Sequence, residues 1–212
     1  MLAYYGEKGA GAKKPLGDWR KGSCSRRAPV HVVDCRARRA GHSLGIPRGR
    51  ARPPPRAMAS VTVNNIRVLD NPAPFRTPLK FEITFEAHVA LQEDLDWTVT
   101  YVGSGDNQEH DQVLESVSVG PFEAGTSRFT LETPAPDAAR IPPADLLGST
   151  ICFVSCAYRG QEFVRVGYWV SNAYSEPLAE GEEPPMPCPT DKIVRTILDE
   201  RPRVTKWTIQ WE

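Results

Sequence analysis

Residues 149–171, STICFVSCAYRGQEFVRVGYWVS, contain the pattern that decides the fold. Within Ile151–Tyr158 and again within Phe163–Val170, every second residue suits a buried core, which is the period of a β-strand. Arg159-Gly160 separates the two runs, and a Gly-containing pair in this position is typical of a tight hairpin turn. We therefore predict a β-hairpin built from the two longest strands of the chain.

The same alternation divides the side chains of this hairpin between two faces. One face consists of Cys, Val and Tyr and suits the core, whereas the other combines bulky apolar residues with an arginine. Exposed aromatic and aliphatic residues around an arginine are typical of a protein-binding hot spot. The alternative is that another segment of the same chain covers this face. The residues predicted to point outward are Ile151, Phe153, Phe163, Arg165, Gly167 and Trp169.

Further alternating runs before and after the hairpin predict an all-β domain. In the first of them the apolar residues move from odd-numbered to even-numbered positions at Asn64-Asn65, which predicts a β-bulge there. About eight short strands separated by tight turns indicate an immunoglobulin-like β-sandwich with short connecting helices. Apart from the hairpin, the predicted strands lie in residues 61–68, 81–86, 97–101, 113–119, 127–131 and 203–211.

Two short helices and one long loop are predicted between these strands. Pro142–Leu147 could form one helical turn, and Thr190 could cap a helix that runs to Glu200. In that second helix Ile193, Val194, Ile197 and Leu198 would share one stripe. The acidic, Pro-rich residues 176–189 are predicted to form a surface loop.

The neutral total charge hides two segments of opposite sign. Residues 1–57 carry 14 Lys and Arg against 3 Asp and Glu, and residues 58–212 carry 12 against 23. The first segment is rich in Arg, Gly and Pro and has too few apolar residues to offset the entropy of ordering, so we predict a disordered basic extension. It could serve nuclear import or nucleic-acid binding, or be a solvated extension without function. The predicted folded domain is residues 58–212.

Several classes of protein are disfavoured by what the sequence lacks. It has no run of about 18 apolar residues and no secretory signal, so we expect no membrane partner. The five cysteines are odd in number, and Cys152 and Cys156 would be roughly 13 Å apart on a strand, too far for a disulfide. We expect no zinc site and no cofactor. The only hint of catalysis is the dipeptide His110-Asp111, which lacks a nucleophile, so we predict that the chain is not an enzyme.

Several motifs give the domain a specific resemblance to one family. The runs at 61–72, 81–86, 93–97, 101–104, 111–114 and 158–168 resemble the anti-silencing-function histone chaperones, above all in Tyr-Arg-Gly-Gln-Glu-Phe at 158–163. The similarity extends from Met58 to Trp211. It implies a nuclear chaperone of the histone H3–H4 dimer that covers the surface by which two H3 copies pair, and so blocks tetramerisation. The chaperone would then hand the dimer to deposition factors for nucleosome assembly and disassembly, with the C-terminal strand of H4 added to the sheet edge.

The resemblance also assigns residues to the histone-binding site. Ile151 falls on the family's central apolar contact, where Val is common, and Arg165 matches the adjacent arginine. Phe153 stands where Leu is usual, and Trp169 where Tyr is usual. The acidic contacts and the segment near the H4 strand are assigned to Asp106, Asp111, Asp145, Arg203 and Thr205.

A second site for the short basic motifs of deposition factors is implied on another part of the domain. It maps to Glu93 and Asp94, with Glu115 and Val119 nearby. Two adjacent carboxylates can pair with Arg or Lys, although exposed pairs contribute only about 0.2–1 kcal/mol each.

One other class of binding protein fits the same residues. A generic β-sandwich adaptor that binds basic peptides but not folded histones would also use an acidic domain with an apolar patch. We expect no sequence-specific nucleic-acid partner for the domain, and a monomer in isolation.

Overall fold

The computed structural model describes residues 60–176 and 182–211, which form an all-β sandwich. The predicted fold class is confirmed. The basic extension at residues 1–57 and part of the loop predicted at 176–189 lie outside the described residues. None of the described helices is long and apolar enough to cross a membrane.

Nine strands and four single-turn 3₁₀ helices make up the described part of the chain. The helices are Gln108–His110, Ala138–Arg140, Pro143–Asp145 and Thr190–Lys192. The predicted turn within Pro142–Leu147 is therefore present. The strands are β1 Val61–Leu69, β2 Ala73–Pro74, β3 Leu79–Ala87, β4 Leu95–Tyr101, β5 Gln112–Val119, β6 Gly125–Thr133, β7 Gly148–Tyr158, β8 Gln161–Tyr174 and β9 Ile193–Lys206.

The strands form two antiparallel sheets that enclose one core. The smaller sheet has the order β1-β3-β6, and the larger has the order β2-β9-β8-β7-β4-β5. Phe85 from the smaller sheet packs against Trp97 from the larger, with ring centroids 6.1 Å apart, and Phe129 contacts Trp97 at 5.6 Å. Burial of large side chains from both sheets supplies most of the driving force for folding.

Local features of the first strand and of the long hairpin follow the sequence patterns. The register of β1 against β3 shifts between Val63 and Asn65, which places the predicted bulge at Asn64 and Asn65. Arg159 and Gly160 have φ of 51° and 71°, and they join Tyr158 and Gln161, which face each other across the hairpin. Two consecutive residues with positive φ are the mark of the type I′ turn, whose twist matches that of the strands.

The predicted helix from Thr190 to Glu200 is wrong. Only Thr190–Lys192 is helical, and β9 begins at Ile193. In β9, Ile193, Arg195 and Ile197 are buried, so every second side chain points into the core, as in a β-strand. The alternation is not evident in the sequence because one of the three buried residues is a charged arginine. The guanidinium of Arg195 donates to the backbone oxygens of Phe75 at 3.1 Å and Thr77 at 2.9 Å, and these bonds allow a cation to lie in the core.

The predicted outward position of Phe163 is also wrong. The ladder between β7 and β8 shifts register near Cys156 and Ala157, so that Phe163 and Val164 are both buried. Phe163 is only 5% exposed because Trp211 covers it, with ring centroids 4.9 Å apart. Trp211 lies in a stretch that follows β9, since that strand ends at Lys206 and not at residue 211 as predicted.

The described cysteines carry free thiols inside the core. Cys152, Cys156 and Cys188 are all buried and unpaired with one another. Burial raises the pKa of the Cys152 thiol to about 12, so the reactive thiolate is suppressed at neutral pH. These residues act as small apolar side chains in the packing.

The loop between β4 and β5 yields a test of this packing. A Cβ added at Gly103 would collide with the backbone of His110, whereas a Cβ added at Gly105 meets no atom of the described chain within 4 Å. We expect Gly103→Ala to lower the free energy of unfolding by about 1–3 kcal/mol, because backbone atoms cannot move aside cheaply. Gly105→Ala is the matched control and should be neutral. Urea denaturation measures both, and equal stability of the two variants would contradict the described loop.

Candidate functional site

The outer surface of the larger sheet carries an apolar row that runs across three strands. Ile151 of β7 faces Trp169 of β8, and Trp169 faces Leu198 of β9. Trp169 is 54% exposed and Leu198 is 53% exposed, while Ile151 is partly buried between its neighbours. Side chains of this size are rarely left in water as a contiguous group unless they bind something.

A second row lies beside the first and extends to the edge of the sheet. Thr100 of β4 faces Val113 on one side and Phe153 on the other, and Phe153 faces Gly167. A Cβ at Gly167 would lie 3.1 Å from the Phe153 ring, so the ring rests directly on the glycine backbone. Val113 is also exposed. The apolar residues Val113, Ile151, Phe153, Trp169 and Leu198, together with Arg165, are called the docking face below.

Arg165 is the charged member of the docking face, and its charge is paired. Its Nε and Nη2 atoms donate to the two carboxylate oxygens of Glu162, each at 2.7 Å. Its guanidinium carbon lies 5.5 Å from the ring centroid of Phe153. The bidentate geometry and the ring contact fix the plane of the guanidinium, and the carboxylate neutralises its charge.

The three acidic residues assigned to the histone site lie at the Ile151 end of the docking face. Asp106 and Asp111 belong to the loop that leaves β4 at Val102, whose N–H donates to the carbonyl oxygen of Ile151 at 2.9 Å. Asp145 ends the 3₁₀ helix that comes just before β7. Asp106 and Asp145 are exposed.

Asp111 differs from the other two because it is partly buried. Its Oδ1 atom is buried and has no hydrogen-bond partner in the described part of the chain. Burial raises the pKa of this carboxyl, and a hydrogen bond from the Gly103 backbone and the nearby His110 act in the opposite direction. The charge of Asp111 is therefore only partly compensated within the loop.

Arg203 and Thr205 lie on β9 beside the docking face. Arg203 faces Gly167, and Thr205 faces Arg165, and both are exposed. The short strand β2 pairs with β9 only at Val194 and Arg195. Within the described ranges, no strand pairs with the outer edge of residues 203–206, so their backbone groups are open to an added strand.

The second predicted site lies in an acidic groove at the opposite end of β4. The groove has a volume of about 420 Å³ and contains an internal ion pair, in which Arg159 Nε and Glu93 Oε1 are 2.9 Å apart. Ser118 Oγ donates to Asp96 Oδ1 at 2.6 Å. The lining residues are Gln92, Glu93, Asp94, Asp96, Ser118 and Arg159.

The other two residues predicted for this site lie on β5. Val119 faces Leu95 next to the groove, but it is only 7% exposed, so most of its surface belongs to the core. Glu115 faces Val99, four residues farther along the strand, and is partly exposed. The structure therefore places Glu93, Asp94 and Val119 together and Glu115 outside the lining of the groove.

The docking face and the groove are spatially separate. The row of Phe153 crosses β4 at Thr100, four to six residues from Asp96 and Asp94 in the lining of the groove. At about 3.3 Å per residue this spacing corresponds to roughly 13–20 Å. Arg165 lies nearer to the groove, because its row crosses β4 at Thr98. Two different partners could occupy the two sites at the same time.

Three exposed residues of this surface were missing from the sequence prediction. Val113 and Leu198 belong to the docking face, and Trp207 lies beside Arg165 at 5.6 Å from its guanidinium carbon. Alternation within 193–198 could have placed Leu198 outward, but the predicted helix concealed it. Nothing local in the sequence places Trp207, because its position depends on where the chain goes after β9.

The His110 side chain of the His110-Asp111 pair holds two loops together. His110 Nδ1 lies 2.8 Å from the carbonyl oxygen of Arg140, so the ring N–H donates to the backbone. The part of the chain that the structure describes contains no group of three or more His, Cys, Asp or Glu residues suited to a metal ion.

Comparisons with known proteins identify the family of the chain. A family model described as ASF1 like histone chaperone matches residues 58–212. Histone chaperone asf1b of Xenopus tropicalis is 48% identical over 155 residues, which cover 73% of this chain and 77% of the relative. Histone chaperone asf1 of Drosophila melanogaster is 47% identical over 155 residues, or 73% and 71% of the two chains. Histone chaperone ASF1B of Homo sapiens is 46% identical over 155 residues, or 73% and 76%.

These matches confirm the resemblance stated from the sequence motifs, and with it the prediction that the chain is not an enzyme. The match begins at residue 58, next to the first described strand. The chain belongs to the family of ASF1-like histone chaperones, whose function is to bind histones and not to catalyse a reaction.

Proposed function

We propose that the chain binds the histone H3–H4 dimer through the docking face and thereby blocks the pairing of two H3 copies. The observation that carries this proposal is the exposed row of Ile151, Trp169 and Leu198 in a protein of a histone chaperone family. A helix that docks on this row would bury its apolar side against three strands at once. Transfer of the dimer to another protein would then require only that this protein compete with the chaperone for the same histone surface.

The composition of the docking face supports tight binding at its centre. Trp and Arg are the residues most enriched in interface hot spots, and Trp169 and Arg165 lie beside Ile151 and Phe153. Trp169 and Phe153 are large rings that lose little conformational entropy when they are covered. The rows of the sheet fix their relative positions before a partner arrives, which reduces the cost of binding.

Charge supports a basic partner for the domain. Residues 58–212 carry a net charge of −11, which accelerates association with a cationic protein at low salt. The single arginine of the docking face would oppose such a partner, but Glu162 neutralises it. Asp106, Asp111 and Asp145 add negative charge at one end of the face.

The open edge of β9 supports a second contact within the same complex. Among the strands that the structure describes, none pairs with the outer side of residues 203–206, and Val204 is exposed there. An extended segment of the partner could add to the sheet at this edge by main-chain hydrogen bonds. The C-terminal strand of H4 is the proposed occupant, and Arg203 and Thr205 would lie beside it.

The acidic groove supports a separate site for deposition factors. Its lining has three carboxylates, Glu93, Asp94 and Asp96, against the single cation Arg159, so the groove can bind an additional arginine or lysine of a short basic motif. Because this site is distant from the docking face, a deposition factor could bind while histones remain bound. Assembly and disassembly of nucleosomes place this activity in the nucleus.

A single substitution at the centre of the docking face tests the proposed histone site. We expect Ile151→Arg to weaken binding of H3–H4 by about a hundredfold or more, because a new charge would be desolvated in the hot spot. Val89→Arg is the matched control, since Val89 is also exposed but lies just beyond β3 of the smaller sheet. Titration measures affinity, and light scattering measures the mass of the complex.

Two results would contradict the proposal. Near-normal affinity of Ile151→Arg would place the histone elsewhere on the domain. Histone tetramers that persist at saturating wild-type protein would exclude the blocking of H3 pairing. If basic peptides bind but no histone complex forms at any concentration, the generic adaptor is the correct function.

Charge reversal in the groove tests the second site independently. We expect Asp94→Lys to weaken binding of a short peptide containing Arg or Lys beside apolar residues by about tenfold, and to leave histone affinity unchanged. Glu132→Lys makes the same change of net charge on β6 of the other sheet. Calorimetry with the peptide distinguishes them, and equal losses in both variants would show that net charge acts and not the groove.

A further inference from the structure

Arg165 is held by more than its carboxylate partner. Besides the bidentate pair with Glu162, its guanidinium carbon lies 5.5 Å from the ring centroid of Phe153 and 5.6 Å from that of Trp207. The ion pair itself is exposed to water, so alone it would fix the side chain weakly. Two aromatic rings at this distance attract the cation and restrict its rotamers.

Trp207 is placed there by the fold of the chain after β9. The backbone N–H of Trp207 donates to the backbone carbonyl oxygen of Phe163 at 2.9 Å. This bond extends the hydrogen bonding between β8 and β9 by one step beyond the end of β9. Four residues later, Trp211 lies over Tyr158 and Phe163, with centroids 5.5 and 4.9 Å away. The stretch between them is therefore fixed at both ends against the hairpin of β7 and β8.

The ring of Trp207 contrasts with that of Trp211 in exposure and in contacts. Trp207 is 44% exposed and contacts the Arg165 guanidinium. Trp211 is partly buried and contacts core aromatic residues. A half-exposed tryptophan next to a docking face has more surface than packing requires, which points to a role in binding.

We propose that Trp207 is a positioning residue of the docking face, which holds Arg165 in the orientation that a histone partner meets. This inference rests on the proposed function. Glu162 occupies Nε and Nη2, and within the described ranges no group accepts a hydrogen bond from Nη1. Trp207 and Phe153 orient the guanidinium plane, so Nη1 is presented in one direction and is available to an acceptor on the partner.

The orientation of Arg165 can be measured in the free protein. In a nitrogen–proton NMR spectrum, we expect Trp207→Ala to shift the Arg165 Nε–H signal and to increase its exchange with water. Trp207→Phe retains a ring and should retain most of the protection. Val89→Ala changes an exposed side chain just beyond β3 of the smaller sheet, so it should leave that signal in place. An unchanged signal in Trp207→Ala would overturn the inference.

The effect on binding is measured by a double-mutant cycle with H3–H4. We expect Trp207→Ala to lower affinity about three- to tenfold and Trp207→Phe to restore it to within about twofold of wild type. If Trp207 acts through Arg165, the double variant Arg165→Ala/Trp207→Ala should bind no more weakly than Arg165→Ala alone. Losses that multiply would show that Trp207 acts independently and would overturn the positioning role.

Failure of the proposed function would be distinguishable from failure of this inference. If the wild-type protein binds no H3–H4, the proposed function is wrong. The NMR comparison of the free variants then decides alone whether Trp207 orients Arg165.

Discussion

The alternation of side chains along the β7–β8 hairpin, interrupted once at the bulge beside Phe163, determines both the core and the outer surface of the larger sheet. Because neighbouring side chains must point to opposite faces, filling the core with Cys152, Val154 and Tyr168 forces Ile151 and Trp169 outward. A shift of one residue would expose the core set and bury the docking face. The type I′ turn at Arg159 and Gly160 fixes the register, so the binding surface and the core are specified by the same hydrogen bonds.

Predictions from sequence succeeded where structure is local and failed where it depends on distant segments. The hairpin, the bulge at Asn64 and Asn65, and the outward position of Trp169 follow from period and turn chemistry. The assignment of β9 failed because Arg195 interrupts the apolar pattern, and its solvation by backbone oxygens near Phe75 cannot be foreseen. Likewise, the burial of Phe163 and the placement of Trp207 both depend on the fold of the chain after β9.

The docking face and the acidic groove differ in charge, so they favour different kinds of contact. The docking face is largely apolar, and its arginine is neutralised by Glu162, so we propose that affinity there comes from the exclusion of water. The groove beside Glu93 and Asp94 is acidic and open, so it favours cations through exposed pairs that salt would weaken. Binding at the groove should therefore be more sensitive to ionic strength than binding at the docking face. The two sites also lie at opposite ends of β4, which allows both to be occupied.

Hydroxyl-radical footprinting with and without the H3–H4 dimer tests whether histones dock on the larger sheet, because it reports which side chains a partner covers. Trp169 and Leu198 are half exposed in the free protein, and His88, which directly follows β3 of the smaller sheet, is an exposed internal reference. Histone docking on the larger sheet should reduce oxidation of Trp169 and Leu198 severalfold and leave His88 unchanged. Oxidation of Trp169 that stays at its free value in a saturated histone complex would contradict the assignment of this face.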